Sequence, residues 1–329
     1  MRSRRGSSSA APSSASQRPR AACPRWGRFL LAELLRIHPE VRAALEGRRP
    51  VVALETTLVA HGFPRGEGAA VAAEAERRVR VAWAVPATIG VVDGVIKVGL
   101  EEADLERFAS SPDARKVGPR DLAACTMRGE LGATTVGATL AVCRAAGIGF
   151  MGTGGLGGVH RGFARLPDIS ADLGELARTE ALVVCSGVKS LLDVPATAEL
   201  LETLGVPVLG WRTDELPLFY KAGGGPRVSQ RVESPEDAAQ IAQFHWRLGR
   251  HSALVLARPP DESLEVDDLI EEALAEAEKE GVSGQEVTPF VLARLHERSG
   301  GRTVEVNKNL IVENAALAAQ VAVAFSKLT

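Results

Sequence analysis

Short apolar runs alternate along the chain with longer segments whose apolar residues recur at helical spacing. Val51–Thr56 (VVALET) is a continuous apolar run ending in polar residues, the pattern of a buried strand, and Glu67–Val79 follows with a helical stripe. Ala87–Leu100 (ATIGVVDGVIKVGL) places two β-rich runs about Asp93-Gly94. That dipeptide favours a type I′ hairpin, because both central residues need φ > 0. An antiparallel hairpin in an otherwise alternating chain implies a mixed sheet. From Thr134 the alternation is regular: helices are predicted over Thr134–Ala146, Ala171–Ala177 and Leu191–Leu204, and strands over Ile148–Thr153, Ala181–Cys185 and Val206–Gly210. Ser234-Pro235-Glu236-Asp237 is a helix start, with a capping serine, proline at N1 and acids in the first turn. That helix runs toward Leu248, and Ala253–Ala257 is the next strand. Leu269–Glu280 reads as an amphipathic surface helix, Thr288-Pro289 opens another that ends at Gly300-Gly301, and Asn309–Ser326 is the last. At the other end, Phe29–Leu45 carries apolar residues at helical spacing. Strands separated by helices predict an α/β fold, a three-layer α/β/α domain with a mixed central sheet. With no internal repeat and no long linker after residue 50, residues 29–329 read as one domain.

Composition narrows the function classes. The 329 residues are 45% hydrophobic and 24% charged, as in an ordinary globular protein. A net charge of -2 exerts no global pull toward nucleic acid or a membrane surface, so any phosphate must be held by a local pocket. No apolar run approaches the roughly 18 residues of a membrane span. Cys23, Cys125, Cys143 and Cys185 are far apart, with no CxxC pair. This argues against a disulfide framework and a thiolate zinc site, and makes a reducing, cytoplasmic compartment the default. Residues 1–28 are rich in Arg, Ser and Ala and hold no acid. They read as a disordered extension or as an organelle-targeting segment, whose compositions overlap. Pro12, Pro19 and Pro24 oppose the amphipathic helix that targeting would use, and no apolar core follows the arginines as a secretory signal requires.

Several short motifs could carry chemistry. Gly152-Thr153-Gly154-Gly155-Leu156-Gly157 has the G-x-G-x-x-G spacing after a strand, but Val159–Asp168 beyond it contains Gly162 and Pro167 and no helical stripe. A dinucleotide site needs a helix there, so a loop that lets backbone approach a ligand closely, or a purely structural tight loop, is the better reading. Gly187-Val188-Lys189-Ser190 lacks the adjacent Gly-Lys and upstream glycine of a P-loop. Lys189 instead follows an apolar strand, where desolvation would disfavour its ammonium and free a nucleophilic amine; the alternative is a lysine snorkelling to solvent. Glu55 ends the strand VVALE, where a drier cleft would raise its pKa and suit it to proton donation; the alternative is a capping or salt-bridged acid. Asp168-Ile169-Ser170-Ala171-Asp172 offers an N-cap at Ser170 or Asp168, or oxygen ligands for Mg²⁺ or Mn²⁺. Gly132–Val136 precedes a helix whose N–H groups could hold an anion, with the basic residues Lys116 and Arg120 nearby in sequence as KVGPRD.

Taken together, VVALETTLVAHG (51–62), VPATIGVVDGVIKVGL (85–100), GATTVGATL (132–140), GTGGLGGVHRG (152–162), DISADLGELART (168–179), SGVKSLLD (186–193), LETLGVPVLGWRTDELP (201–217), VTPFVLAR (287–294) and VNKNLIVENA (306–315) resemble the pseudouridine-5'-phosphate glycosidase family, related in fold to indigoidine synthase A. The resemblance runs from about Glu40 to the end. It implies that Glu55 is the proton donor, that Lys189 is the nucleophile, and that Asp168 helps hold a divalent metal, usually Mn²⁺, largely through water. It implies substrate contacts at Lys116, Val136, Ser170, Ala171 and Asp172, pocket positions for His160 and Asn307, a small-molecule nucleotide substrate and a homotrimer. The implied reaction opens the ribose ring, bonds Lys189 to C1′ as a Schiff base and releases uracil and ribose 5-phosphate. The chain departs from the family pattern in three places. Gly118-Pro119 stands where the family carries Ser-Arg, Leu131 replaces an asparagine before GATT, and Glu313 replaces one of two neighbouring asparagines. The first two put phosphate affinity or substrate preference in question. Competing expectations are another Schiff-base lyase or glycosidase of a related sugar phosphate, and a nucleotide-binding oxidoreductase or binding module built on the glycine-rich loop.

Overall fold

Strand β2 (Val51–Glu55) shows why the fold is layered: every residue is buried, yet alternate residues enter different cores. Val51 and Ala53 join one apolar cluster, Val52 and Leu54 another. Strand β8 (Leu182–Cys185) and strand β11 (Leu254–Ala257) divide in the same way, so both faces of the sheet are covered and the strands read as unbroken apolar runs. The computed structural model describes residues 35–163, 167–282 and 287–328. The extension expected at 1–28, and the first part of the helical stripe from Phe29, lie outside the described residues.

The sheet also contains β1 (Leu35–Ile37), β3 (Val85–Val92), β4 (Val95–Val98), β5 (Arg115–Val117), β6 (Gly132–Thr134), β7 (Phe150–Gly152), β9 (Val208–Trp211) and β10 (Gln230–Val232). Its order is β1-β4-β3-β2-β7-β8-β11-β9-β10, with β6 pairing β3 and β5 pairing β6 off this path. Neighbours are parallel except β3–β4 and β3–β6, so the sheet is mixed, as the hairpin implied. Asp93 and Gly94 take φ of 50° and 77°, the left-handed pair that the turn requires.

Helices α3 (Glu67–Val81), α9 (Pro235–Arg247) and α12 (Arg302–Ser326) pack one face. On the other lie α1 (Pro39–Glu46), α6 (Val136–Ala146), α7 (Ala171–Leu176), α8 (Val194–Thr203), α10 (Asp267–Lys279) and α11 (Val287–Arg298). Helix α12 is long and apolar enough to cross a membrane by length and composition, although polar residues interrupt its apolar positions. Most of that apolar window is buried inside the protein, as in a core helix.

Ser234 caps α9 as its motif specified, accepting from Asp237 N at 3.1 Å with Pro235 in the first turn. The stripe from Phe29 to Leu45 is corrected: Leu35–Ile37 is a strand, paired in parallel with the open edge of β4. Pro39 disfavours helical backbone at His38, so α1 begins only there. The periodicity gives no element over 101–131, where the structure has α4 (Glu102–Ser110), β5, a 3₁₀ turn (Pro119–Asp121) and α5 (Leu122–Met127). The strand and turn are three residues each, too short for a period to register. The same holds for α2 (Thr57–His61) and β10.

Candidate active site

Three neighbouring parallel strands, β2, β7 and β8, end side by side. Continuing the register Leu54↔Gly152↔Val184 by one residue sets Glu55 beside Thr153, with the loop to Lys189 next to them. Ligand crevices of α/β sheets lie beyond such carboxyl ends. A cleft of about 330 Å³ opens here, and Glu55, Lys189, Lys116, Val136, His160, Asp168, Ser170, Ala171, Asp172 and Asn307 all line it. All ten of these expected site residues are therefore brought to one place. In particular the carboxyl of residue 55 and the amine of residue 189 share a single cavity.

Glu55 is 7% exposed and accepts a hydrogen bond from the Thr153 hydroxyl. Burial pushes its pKa from 4.5 up to about 7, while Lys189, the Thr153 bond and Lys116 pull against that rise and Asp172 adds to it. An acid so placed is protonated for a large fraction of the time near neutral pH and can donate. Lys189 is half-buried, and its backbone is tied down on both sides: its N–H donates to Leu156 O at 3.3 Å and its carbonyl accepts from Leu192 N at 2.9 Å. Gly187 before it has φ 82°, and a Cβ there would lie 1.9 Å from Pro217 O, so this turn admits no side chain. Lys116 arrives on β5, which reaches the cleft through the β5–β6–β3 ladder. Burial lowers its pKa, and the neighbouring Lys189 lowers it further.

Asp172 has structural work to do. Its Oδ1 accepts from Gly137 N at 2.8 Å, at the start of α6, and its Oδ2 accepts from Gly157 N at 3.0 Å. Thr135 caps the same helix, accepting from Ala138 N at 3.3 Å. Of the helix N–H groups expected to hold an anion, those of Gly137 and Ala138 are already paired inside the protein. Ser170, not Asp168, is the N-cap of α7. Asp168 stays one-third exposed, with His160 Nδ1 3.9 Å from its Oδ2. Burial lowers the His160 pKa against the pull of Asp168. Among the described residues no group of three or more His, Cys, Asp or Glu is gathered as a metal cluster.

The glycine-rich loop resolves mostly in favour of tight packing. A Cβ at Gly152 would lie 2.8 Å from Ala315 Cα, at Gly155 2.5 Å from the Phe219 ring, and at Gly158 2.4 Å from Thr197 Oγ1. At Gly157, which lines the cleft, it would meet Ser170 Oγ at 2.3 Å and Asp172 Oδ2 at 2.8 Å. The close approach is to the protein's own groups. No helix begins in the described residues from Val159 to Ser170, so the dinucleotide reading lacks its anion-binding helix.

Of the departures from the family pattern, Gly118 and Pro119 lie on the cleft wall beside Arg120. Leu131 is instead buried in a separate apolar cluster, and Glu313 pairs with Arg78 at 2.7 Å on α3. Only the change at 118–119 touches the cleft. Sequence reading did not single out Thr153 as a partner of Glu55, nor His61, Phe219, Thr288, Pro289 and Leu292 in the wall. Thr153 sits in the quoted glycine motif, but nothing local marks its hydroxyl as the partner of a carboxyl 98 residues away.

The sequence profile described as indigoidine synthase A like protein matches residues 40–324. A pseudouridine-5'-phosphate glycosidase from Staphylococcus aureus is 44% identical over 294 residues, covering 88% of this chain and 96% of its own. The enzyme of that name from Streptomyces griseus is 49% identical over 291 residues, covering 87% and 90%. Among solved structures, the prealnumycin C-glycosynthase AlnA in complex with ribulose 5-phosphate aligns with TM-score 0.82 at 39% identity, covering 90% of this chain and 98% of that one. An indigoidine synthase A-like protein from Thermotoga maritima aligns with TM-score 0.80 at 38% identity, covering 89% and 97%.

Proposed function

The chain belongs to the indigoidine synthase A-like protein family, and on that basis we propose that it acts as a pseudouridine-5'-phosphate glycosidase, cleaving the C–C glycosidic bond to uracil and ribose 5-phosphate. The observation that carries this reading is the desolvated acid Glu55 in one cleft with the amine of Lys189. The ribulose 5-phosphate in the AlnA structure supports a pentose 5-phosphate as the ligand class.

An ordinary glycosidase expels an oxygen leaving group with two carboxylates. Here the leaving atom is carbon, and an acid alone expels it poorly. The Lys189 amine attacks C1′ while Glu55 gives its proton to the ring oxygen, and the C1′–O4′ bond opens. The nitrogen lone pair then forms C=N as the C1′–C5 electron pair leaves to uracil, whose C5 takes a proton. Water hydrolyses the imine, returning ribose 5-phosphate and the free amine. Lys116, Val136 and the Ser170–Asp172 turn supply the wall against which the sugar phosphate is held, and His160 and Asn307 supply polar groups.

A water-accessible carboxylate without a cage of further protein ligands suits a hard divalent cation that keeps most of its waters. Asp168 fits that description, and it would hold Mn²⁺ there to offset phosphate charge. The homotrimer is part of the same reading; Trp83, Met127 and Leu248 are among the large exposed apolar side chains that such contacts could cover. A cytoplasmic location goes with it.

The test is uracil release from pseudouridine 5'-phosphate with Mn²⁺, with and without chelator. Lys189→Ala is expected to keep its fold and lose turnover, and borohydride is expected to trap a pentose phosphate on Lys189 in the wild type alone. Turnover of other sugar phosphates without uracil release, or wild-type activity in Lys189→Ala, refutes the reading.

A further inference from the structure

We propose that Asn314 is a positioning residue that locks the loop bearing Thr153 to the loop bearing Lys189, so that acid and amine face the same sugar. The inference rests on the reading above.

Asn314 is fully buried within α12 and belongs to no wall of the cleft. Its Nδ2 donates to Thr153 O at 2.8 Å, with a longer contact to Gly154 O at 3.4 Å, and to Ser186 Oγ at 3.0 Å. Carbonyls only accept, so the NH₂ end of the amide must face them. Each bonded group is close in sequence to a reacting one. Thr153 is the residue whose hydroxyl donates to Glu55, and Ser186 opens the turn that ends at Lys189. Main-chain bonds join the same two loops, Ser186 N to Gly154 O at 2.9 Å and Leu156 N to Gly187 O at 2.9 Å.

The helix reaches this far only because Gly152 has no side chain: a Cβ there would lie 2.8 Å from Ala315 Cα. An apolar residue at 314 could fill the volume but would strand the Thr153 carbonyl, since Gly154 O keeps its bond from Ser186 N. The groups that face Glu55 besides Thr153 are Lys189, Lys116 and Asp172, and none of them is bonded by Asn314. Its influence on the acid therefore passes through Thr153.

The experiment measures kcat, KM and the pH profile of uracil release, with Mn²⁺, for the full chain and for Asn314→Ala, Asn314→Asp and Ser186→Ala, with melting curves for each. Asn314→Ala is expected to lose about 100-fold in kcat, the scale of a small misplacement of reacting groups, with KM changing much less. The decline of activity at high pH is expected to move upward, because the Thr153 bond that holds the Glu55 pKa down is loosened. Asn314→Asp is expected to regain activity as pH falls, when a protonated carboxyl can again donate to Thr153 O. Ser186→Ala is expected to lower kcat without moving that decline. A folded Asn314→Ala with wild-type kcat overturns the inference, as does a loss explained by unfolded protein with an unmoved pH profile. Should that variant not fold, wild-type kcat in Ser186→Ala overturns it. Failure of the wild type to release uracil overturns the glycosidase reading and this inference with it; full wild-type turnover with unaffected variants overturns the inference alone.

Discussion

Replacing Glu55 by glutamine removes one ionisation while keeping shape, and its consequence can be worked out from the burial of this side chain. In the folded protein Glu55 titrates at about 7, against 4.5 when exposed. Between those values the folded state holds a proton that the unfolded chain has released, so wild-type stability falls as pH rises through that window. The gap of about 2.5 pH units, at 1.36 kcal/mol per unit, corresponds to about 3 kcal/mol. Glu55→Gln carries no such cost. It should match the wild type near pH 4.5 and exceed it by an amount that grows to about 3 kcal/mol above pH 7. Denaturant unfolding of both proteins from pH 4.5 to pH 8.5 measures this directly. The same variant has no proton to give, and should lose ~10²–10⁴-fold in turnover. A stability difference that stays flat across the pH range would refute the claim that the carboxyl is desolvated in the folded state. Retained activity would refute its role as the acid.

Other outcomes follow from the cleft. Gly157→Ala forces a Cβ to within 2.3 Å of Ser170 Oγ and should destabilise by ~1–3 kcal/mol in melting experiments while raising KM, because the turn it displaces is also a wall of the cleft. Asp172→Ala leaves the Gly137 and Gly157 N–H groups without their acceptor and should cost ~2–5 kcal/mol in denaturant unfolding. Pro119→Arg returns a cation to the cleft wall and should lower KM for the phosphorylated substrate with little change in kcat; an unchanged KM would remove the 118–119 departure as a determinant of phosphate affinity.

Much of this protein is written locally. The I′ turn at Asp93-Gly94, the capping box at Ser234 and the unbroken apolar runs of β2, β8 and β11 depend on residues within a turn or a strand of one another. The ends of two apolar strands marked Glu55 and Lys189 as candidates, because strand ends are where a parallel sheet exposes its ligand-facing loops, and the family resemblance supplied their expected roles. What joins them was not legible. Thr153 meets Glu55, Asp172 bridges α6 to the glycine loop, and Asn314 reaches two loops from the last helix. Each depends on the order β2-β7-β8 and on how closely α12 lies against it. The sequence by itself determined the longer strands and helices from Val51 onward and which residues could do chemistry, but not β1 or the short elements over 101–131. The tertiary structure alone decided which of them share a dry cavity, because desolvation and buried hydrogen bonds arise only when distant segments pack and exclude water.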